Sequence, residues 1–263
     1  MMAASAETPV RNAGRIVPDL DPKRIARAPD APVRLGPLLA VCGLVGGAGA
    51  TTLAYLVAVA AARQWHEPVL VADTGGPSGG LAACAGVEVP RSLLELAEGL
   101  AAGVPLGGGL YANGPGGVRV LASGPEFTST CAHEQVSRLL IDAREAHALT
   151  VVDCGTLARE VEQTAASTSS HAVWVLPATA HGVRAGGRVL DAAPRPAGQE
   201  LIVARRDARQ PNAPLRELRR IAAERRAPLV LMPHLPGLDA GRLEAAMGAA
   251  QVSLQAILGA LKR

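Results

Sequence analysis

The chain has 263 residues, of which 49% are hydrophobic and 19% charged, enough apolar material for a buried core, so global disorder is excluded. The formal net charge of +3 excludes a polycation. Tyr55, Trp65, Tyr111, Phe127 and Trp174 are the only aromatic residues, too few for a nucleic-acid surface built on stacked rings.

Of the 26 basic residues only Lys23 and Lys262 are lysines, an arginine bias of the kind a GC-rich genome produces. Chemistry that needs a lysine inside the folded domain is therefore closed to this chain. Cys42, Cys84, Cys131 and Cys154 form no C-x-x-C pair, and the histidines form no H-E-x-x-H motif. Cys131 and His133 stand close in sequence, but a lone Cys-x-His pair does not make a metal site. A reduced, cytosolic protein is expected.

Residues 1–36 are rich in Ala, Pro, Arg and Asp, show no apolar period and lack the apolar stretch of a secretory signal. They are expected to form a disordered tail ahead of a single domain over residues 37–263. Between Arg34 and Arg63 lie 28 uncharged residues, more than the ~20 that cross a bilayer. Gly43-x-x-x-Gly47 even matches a helix-dimer pattern. Against a membrane helix, Gly43, Gly46, Gly47 and Gly49 crowd its centre, each weakening a helix by about 1 kcal/mol relative to alanine. A buried strand, a glycine loop and a buried helix account for the segment better.

Short apolar runs at 37–42, 69–72, 118–121, 150–153, 172–176, 201–204 and 229–232 suit buried parallel strands. Helical stretches lie between most of them, at 51–63, 91–102, 133–146, 157–166, 183–192 and 213–226, with a last helix from about 239 to 261. This alternation predicts an α/β fold: three layers around a doubly wound, mostly parallel sheet of about seven strands. Ligands of such sheets bind at the carboxyl ends of the strands.

The first strand runs into Gly43-Leu44-Val45-Gly46-Gly47-Ala48-Gly49-Ala50-Thr51-Thr52. A glycine loop feeding a helix start is an anion site, because backbone N–H groups point outward there and the helix dipole favours negative charge. Two phosphate-binding patterns compete for it. A P-loop, G-x-x-x-x-G-K-[ST], is filled by Gly49 and Thr51, but Leu44 stands at its first glycine and Ala50 at its lysine. A dinucleotide loop is filled by Gly43, Gly47 and Gly49, with Asp73 placed to hold a ribose hydroxyl. Dehydrogenases with that loop use a Tyr-x-x-x-Lys pair for proton transfer. Four positions after Tyr55 and Tyr111 the chain has Val59 and Pro115 instead.

The stretch Gly46-Gly47-Ala48-Gly49-Ala50-Thr51-Thr52-Leu53-Ala54 resembles the deviant P-loop of the ParA/MinD ATPases. Ala50 followed by Thr-Thr-Leu-Ala is similar to the TadZ/CpaE branch and to related septum-site-determining proteins. Val69-Leu70-Val71-Ala72-Asp73, Gly79-Gly80-Leu81 and Val151-Val152-Asp153 extend the resemblance over about residues 37–235. It implies a P-loop fold that binds ATP or ADP with Mg²⁺. Gly46, Gly47, Ala48, Gly49, Ala50, Thr51, Thr52 and Asp73 would hold the nucleotide, and Thr51 and Asp153 the metal. It also implies a homodimer that works with pilus, secretion or division machinery, with at most weak membrane or nonspecific DNA contact.

The departures from the family pattern bear on activity. Val45 replaces the lysine that reaches the partner's nucleotide, Ala50 replaces the P-loop lysine, and Asp73-Thr74-Gly75 keeps one carboxylate of an Asp-x-Asp. Where the family often places an adenine-reading Asn, the chain has Ala204-Arg205-Arg206. A charge-assisted hydrogen bond contributes about 1.5–3 kcal/mol, so losing one lysine weakens nucleotide binding roughly ten- to hundredfold. A cation on the transferring phosphoryl group supplies on the order of 10³–10⁵ in rate. Nucleotide binding is therefore expected to be weak or absent, the glycine loop being in the latter case only a turn; hydrolysis is expected to be negligible and no residue is assigned a catalytic role. A slow ATPase dimerisation switch is the alternative.

Three further features are ambiguous. Asp153 either orients Mg²⁺ through water or caps the next helix near Thr156. Residues 205–226 hold eight arginines diluted by Asp207, Glu217 and Glu224, which reads as a solvated helix face more than an anion patch. The last helix carries Leu243, Met247, Ala250, Leu254, Ile257, Leu258 and Leu261 at helical spacing, fitting a core helix better than a membrane anchor.

Overall fold

A computed structural model describes residues 35–75, 80–88, 91–103, 111–123, 133–193, 195–207, 213–235 and 242–261. These fall in one compact unit, Val33–Arg263. Residues 1–34 of the expected tail, Gly79 and Cys131 lie outside the described residues, whereas Gly36, assigned to that tail, is tied into the domain by donating to the Arg144 carbonyl at 2.9 Å.

The elements follow in the order β1 (Leu38–Gly43), α1 (Ala50–Trp65), β2 (Val69–Asp73), α2 (Gly80–Ala85), α3 (Leu93–Ala101), β3 (Ala112–Asn113), β4 (Arg119–Leu121) and α4 (His133–Ala146). Then come β5 (Leu149–Asp153), α5 (Glu160–Thr168), β6 (His171–Pro177), α6 (Ala180–Ala192), β7 (Glu200–Arg205), α7 (Leu215–Arg225), β8 (Leu229–Met232) and α8 (Leu243–Leu261).

They build one sheet in the order β3-β4-β2-β5-β1-β6-β7-β8. All neighbours run parallel except β3, which pairs antiparallel with β4. β1, β2 and β5 are buried at every residue, as expected of central strands covered on both faces. Their side chains alternate between two cores. Leu39 and Val41 pack with α1, α2 and α8, whereas Leu38, Ala40 and Cys42 pack with α3 to α7. The result is the three-layer architecture that the alternation predicts.

The segment with the membrane-length apolar run is β1, a loop and α1, and no helix among the described residues is long and apolar enough to cross a membrane. α8 is a core helix: Ala246, Ala250, Leu254, Ile257 and Leu258 are buried with residues of α1.

The sheet has eight strands instead of about seven, because β3 pairs only two residues beside the turn at Gly114–Gly117. So short a strand in a Gly/Pro/Asn-rich stretch carries no periodic signal. α2, six residues long, escapes for the same reason. α5 starts at Glu160 and not at 157, since Leu157 has φ 60° and ends a turn. α6 starts three residues earlier than the pattern suggests. There Thr179 caps it by accepting from Gly182 N at 3.0 Å.

Two buried polar contacts tie the layers together. Arg225 on α7 forms an ion pair with Glu200 on β7, donates to the Leu190 carbonyl at 3.2 Å and lies over the Trp174 ring. Both partners are buried, so the strand start and the helix end are locked by a pair that tolerates no missing member. Glu200→Gln should therefore lower unfolding stability by roughly 3–5 kcal/mol, read by urea denaturation.

His147, after α4, has Nδ1 2.8 Å from the Ala143 carbonyl and Nε2 3.1 Å from Arg119 Nη1. Burial pushes its pKa down from 6.5 to about 4, with the Arg119 charge acting in the same direction. The folded state thus keeps His147 neutral where the unfolded chain takes up a proton. Its contribution is complete above pH 6.5 and is lost as the pH falls toward 4. Thermal melts at pH 7.5 and 5 should show wild type losing its advantage over His147→Gln on acidification.

Candidate functional site

Residues 44–49 join the end of β1 to α1. Gly43 N donates to the Gly155 carbonyl at 2.7 Å, tying the root of the loop to the end of β5. A Cβ at Gly43 would meet that carbonyl oxygen at 3.2 Å, so close approach of the two strands explains the glycine. Leu44 N donates to the Val175 carbonyl on β6 at 2.8 Å. Gly47 (φ 71°) and Gly49 (φ 93°) take left-handed backbone conformations that glycine adopts freely.

Within the loop Ala48 N is spent on the Val45 carbonyl, and Leu53 N on the Gly49 carbonyl. Among the described residues the amides of Gly46, Gly47, Gly49, Ala50 and Thr51 have no backbone acceptor. No heavy atom lies within 4 Å of where a Cβ would stand at Gly46 or Gly47. The loop is thus an open cradle of N–H groups at the positive end of α1, and it fits a phosphate.

Below it stand the two aspartates. β2 and β5 pair Asp73 with Asp153 in register, both nearly fully buried. Asp153 accepts from Gly155 N at 3.1 Å; burial pushes its pKa up, and the neighbouring Thr51 hydroxyl opposes that shift. Asp153 does not cap the following helix, which begins at Glu160. Thr51 and Asp153 are therefore brought together as hard oxygen donors, the set Mg²⁺ requires. Burial pushes the Cys84 thiol on α2 up, and the neighbouring Thr52 hydroxyl opposes that shift.

Asp73 accepts from Gly75 N at 2.7 Å and is nearly fully buried. Burial, reinforced by the Asp153 charge, pushes its pKa up from 3.8 to about 7. Arg159 borders the same cluster: it pairs with buried Glu162 at 2.8 Å and donates to the Thr74 carbonyl at 2.8 Å.

One cation at the loop was not foreseen. Arg205 closes β7, and its Nη2 donates to the Gly47 carbonyl at 2.9 Å. Its Cδ and Nε lie 3.4 and 3.5 Å from where a Gly49 Cβ would stand. Beyond it, an apolar pocket of about 310 Å³ opens among Val175, Val203, Met232 and Leu235, walled by the first turn of α1 and by Arg205 and His234.

No protein-family model matches the chain, and no curated protein does. Solved structures do. A ParA family ATPase from Chlorobium tepidum superposes with a TM-score of 0.62 at 16% identity, covering 85% of this chain and 92% of that one. The MinC:MinD cell division complex of Aquifex aeolicus gives 0.66 at 17% identity over 85% and 96%. The septum site-determining protein MinD of Pyrococcus horikoshii, complexed with Mg-ADP, gives 0.62 at 18% over 84% and 94%. The chain has the fold of the ParA and MinD ATPases.

In this ParA/MinD-like fold the residues singled out from the sequence converge. Gly46 to Thr52 surround the start of α1, and Asp73 and Asp153 lie side by side beneath Thr51. Sequence reasoning missed Arg205 because it treated the loop alone. The available signal was an arginine at the carboxyl end of a strand. It also missed Arg159 and Glu162, since an ion pair after β5 has no motif.

The stacked carboxylates carry a cost that pH reveals. Because the folded pKa of Asp73 is raised, its contribution is complete below pH 3.8 and declines as the pH rises through 7. Asp73→Asn mimics the protonated form. It should stabilise the protein by about 2–4 kcal/mol at pH 8 and much less at pH 4, measured by denaturant titration at both values.

Proposed function

We propose that the chain is a catalytically silent ParA/MinD-like factor that binds Mg·ADP or Mg·ATP weakly and serves as a positioning scaffold. The observation that carries this reading is a contrast at one site. The amide cradle and the Thr51–Asp153 pair are in place, while Val45 and Ala50 stand where the loop would carry lysines. In this reading the amides of Gly46 to Thr51 hold the phosphates, and the apolar pocket beside Val203 and Met232 takes the base. Thr51 and Asp153 hold Mg²⁺, whose chemistry is to neutralise phosphate charge.

The similarity of residues 46–54 to the TadZ/CpaE branch supports the finer part of the proposal. There the chain acts as a homodimer that places a pilus or secretion assembly, or a division site. The Aquifex MinD structure, solved with MinC, is a precedent within the fold for a partner protein.

Two measurements test the proposal. Calorimetry with Mg·ADP should give binding that Thr51→Ala weakens by about tenfold, the order expected for one lost polar ligand. Phosphate release under saturating Mg·ATP should not exceed the protein-free rate. Turnover comparable to that of active ParA or MinD proteins, with an ATP-driven mass shift in light scattering that reverses on hydrolysis, would establish the slow dimerisation switch instead.

A further inference from the structure

We propose that Arg205 is the phosphate-binding cation of this loop, supplied in cis from β7 in place of the lysines the loop lacks. The inference rests on reading the loop as a nucleotide cradle and names the group that reads the charge of the phosphate chain.

Three observations converge on it. The first is reach. The order β1-β6-β7 sets the end of β7 two strands from the loop, and a guanidinium on its long stem spans that gap to the Gly47 carbonyl. The second is placement. The side chain crosses Gly49, the residue that precedes the first turn of α1, so its charge sits beside the amides that end that helix. A Cβ at Gly49 would stand in ordinary van der Waals contact with Arg205 Cδ, at 3.4 Å, so the guanidinium stem lies directly against this residue. The third is an unmet hydrogen-bonding need. Arg205 Nε is shut off from water and has no acceptor, and among the described residues no carboxylate pairs with this arginine. The amides of Gly47, Gly49 and Ala50 beside it likewise have no backbone acceptor.

Such a cluster consists almost wholly of donors: a guanidinium fork, a set of main-chain N–H groups and the positive end of a helix. The chemistry that satisfies all of them is a compact polyanion, and a di- or triphosphate chain offers oxygens in the geometry a fork accepts. The Gly47 carbonyl is the present acceptor of the fork. On binding, the guanidinium turns from that neutral carbonyl to a charged phosphate oxygen, a stronger acceptor. No bond to phosphorus forms or breaks in this step. Arg205 also stands between the loop and the apolar pocket, where a nucleotide's phosphates and base would meet.

The test is calorimetric titration of the full chain with Mg·ADP and, separately, Mg·tripolyphosphate, which has no base. Wild type, Arg205→Gln and Arg205→Lys are compared, with thermal melts of the unliganded proteins as a check on folding. Arg205→Gln should weaken both ligands by about ten- to hundredfold, and Arg205→Lys should recover much of the loss. Recovery by lysine separates charge from packing, even if the glutamine variant is less stable. If Arg205→Gln binds both ligands as well as wild type while Thr51→Ala still weakens them, the arginine is no ligand and the nucleotide reading stands alone. Tighter binding by Arg205→Gln would make the arginine a plug and overturn the proposal. If wild type binds neither ligand, the nucleotide reading fails and this inference with it.

Discussion

The backbone bond from Gly43 N to the Gly155 carbonyl is the contact on which the site depends. β1 and β5 are adjacent, parallel and wholly buried, so their carboxyl ends emerge together at one edge of the sheet. The Gly43–Gly155 bond clamps those ends at the point where one strand becomes the loop and the other ends in Asp153. Neither residue tolerates a side chain easily. A Cβ at Gly155 would meet Glu162 and the Gly75 backbone at 3.2 Å, and φ at Gly155 is 51°. Three strands thus deliver a glycine cradle and two aspartates into one small volume by close backbone packing.

That packing sets the electrostatics. Burying Asp73 beside the Asp153 charge favours a proton on Asp73 near neutral pH, a state that a cation at the site would displace. Arg159 balances one flank of the carboxylates and Arg205 the loop above them. The charges that a P-loop normally carries on its own lysine are here distributed over side chains from other elements. A loop without lysines can therefore keep an electropositive surface, so the absence of those motif residues does not by itself mean that phosphate is not bound.

Much of this was legible in the sequence. Apolar runs at regular spacing marked seven of the eight strands, since a strand buried on both faces must be apolar throughout. The cluster of Gly46, Gly47 and Gly49 before Thr51 marked the loop, because few residues other than glycine accept the backbone that such a turn requires. Asp73 and Asp153 were visible as acids closing apolar strands. The short elements β3 and α2 were not, because two and six residues give no period to read. The start of α5 was misplaced for a local reason, the left-handed Leu157.

What the chain alone determined is the inventory: which segments must be buried, where the backbone must turn, and that the loop carries no cation of its own. Tertiary structure decided which distant residues meet there. Asp73 and Asp153 face each other because β2 and β5 are neighbours, although 80 positions separate them. Arg205 reaches Gly47 because the sheet order brings the end of β7 near the end of β1, across 158 positions of chain. Periodicity reports only on a residue and its near neighbours along the chain, whereas strand order is fixed by packing over the whole sheet, and that order supplied this loop with its arginine.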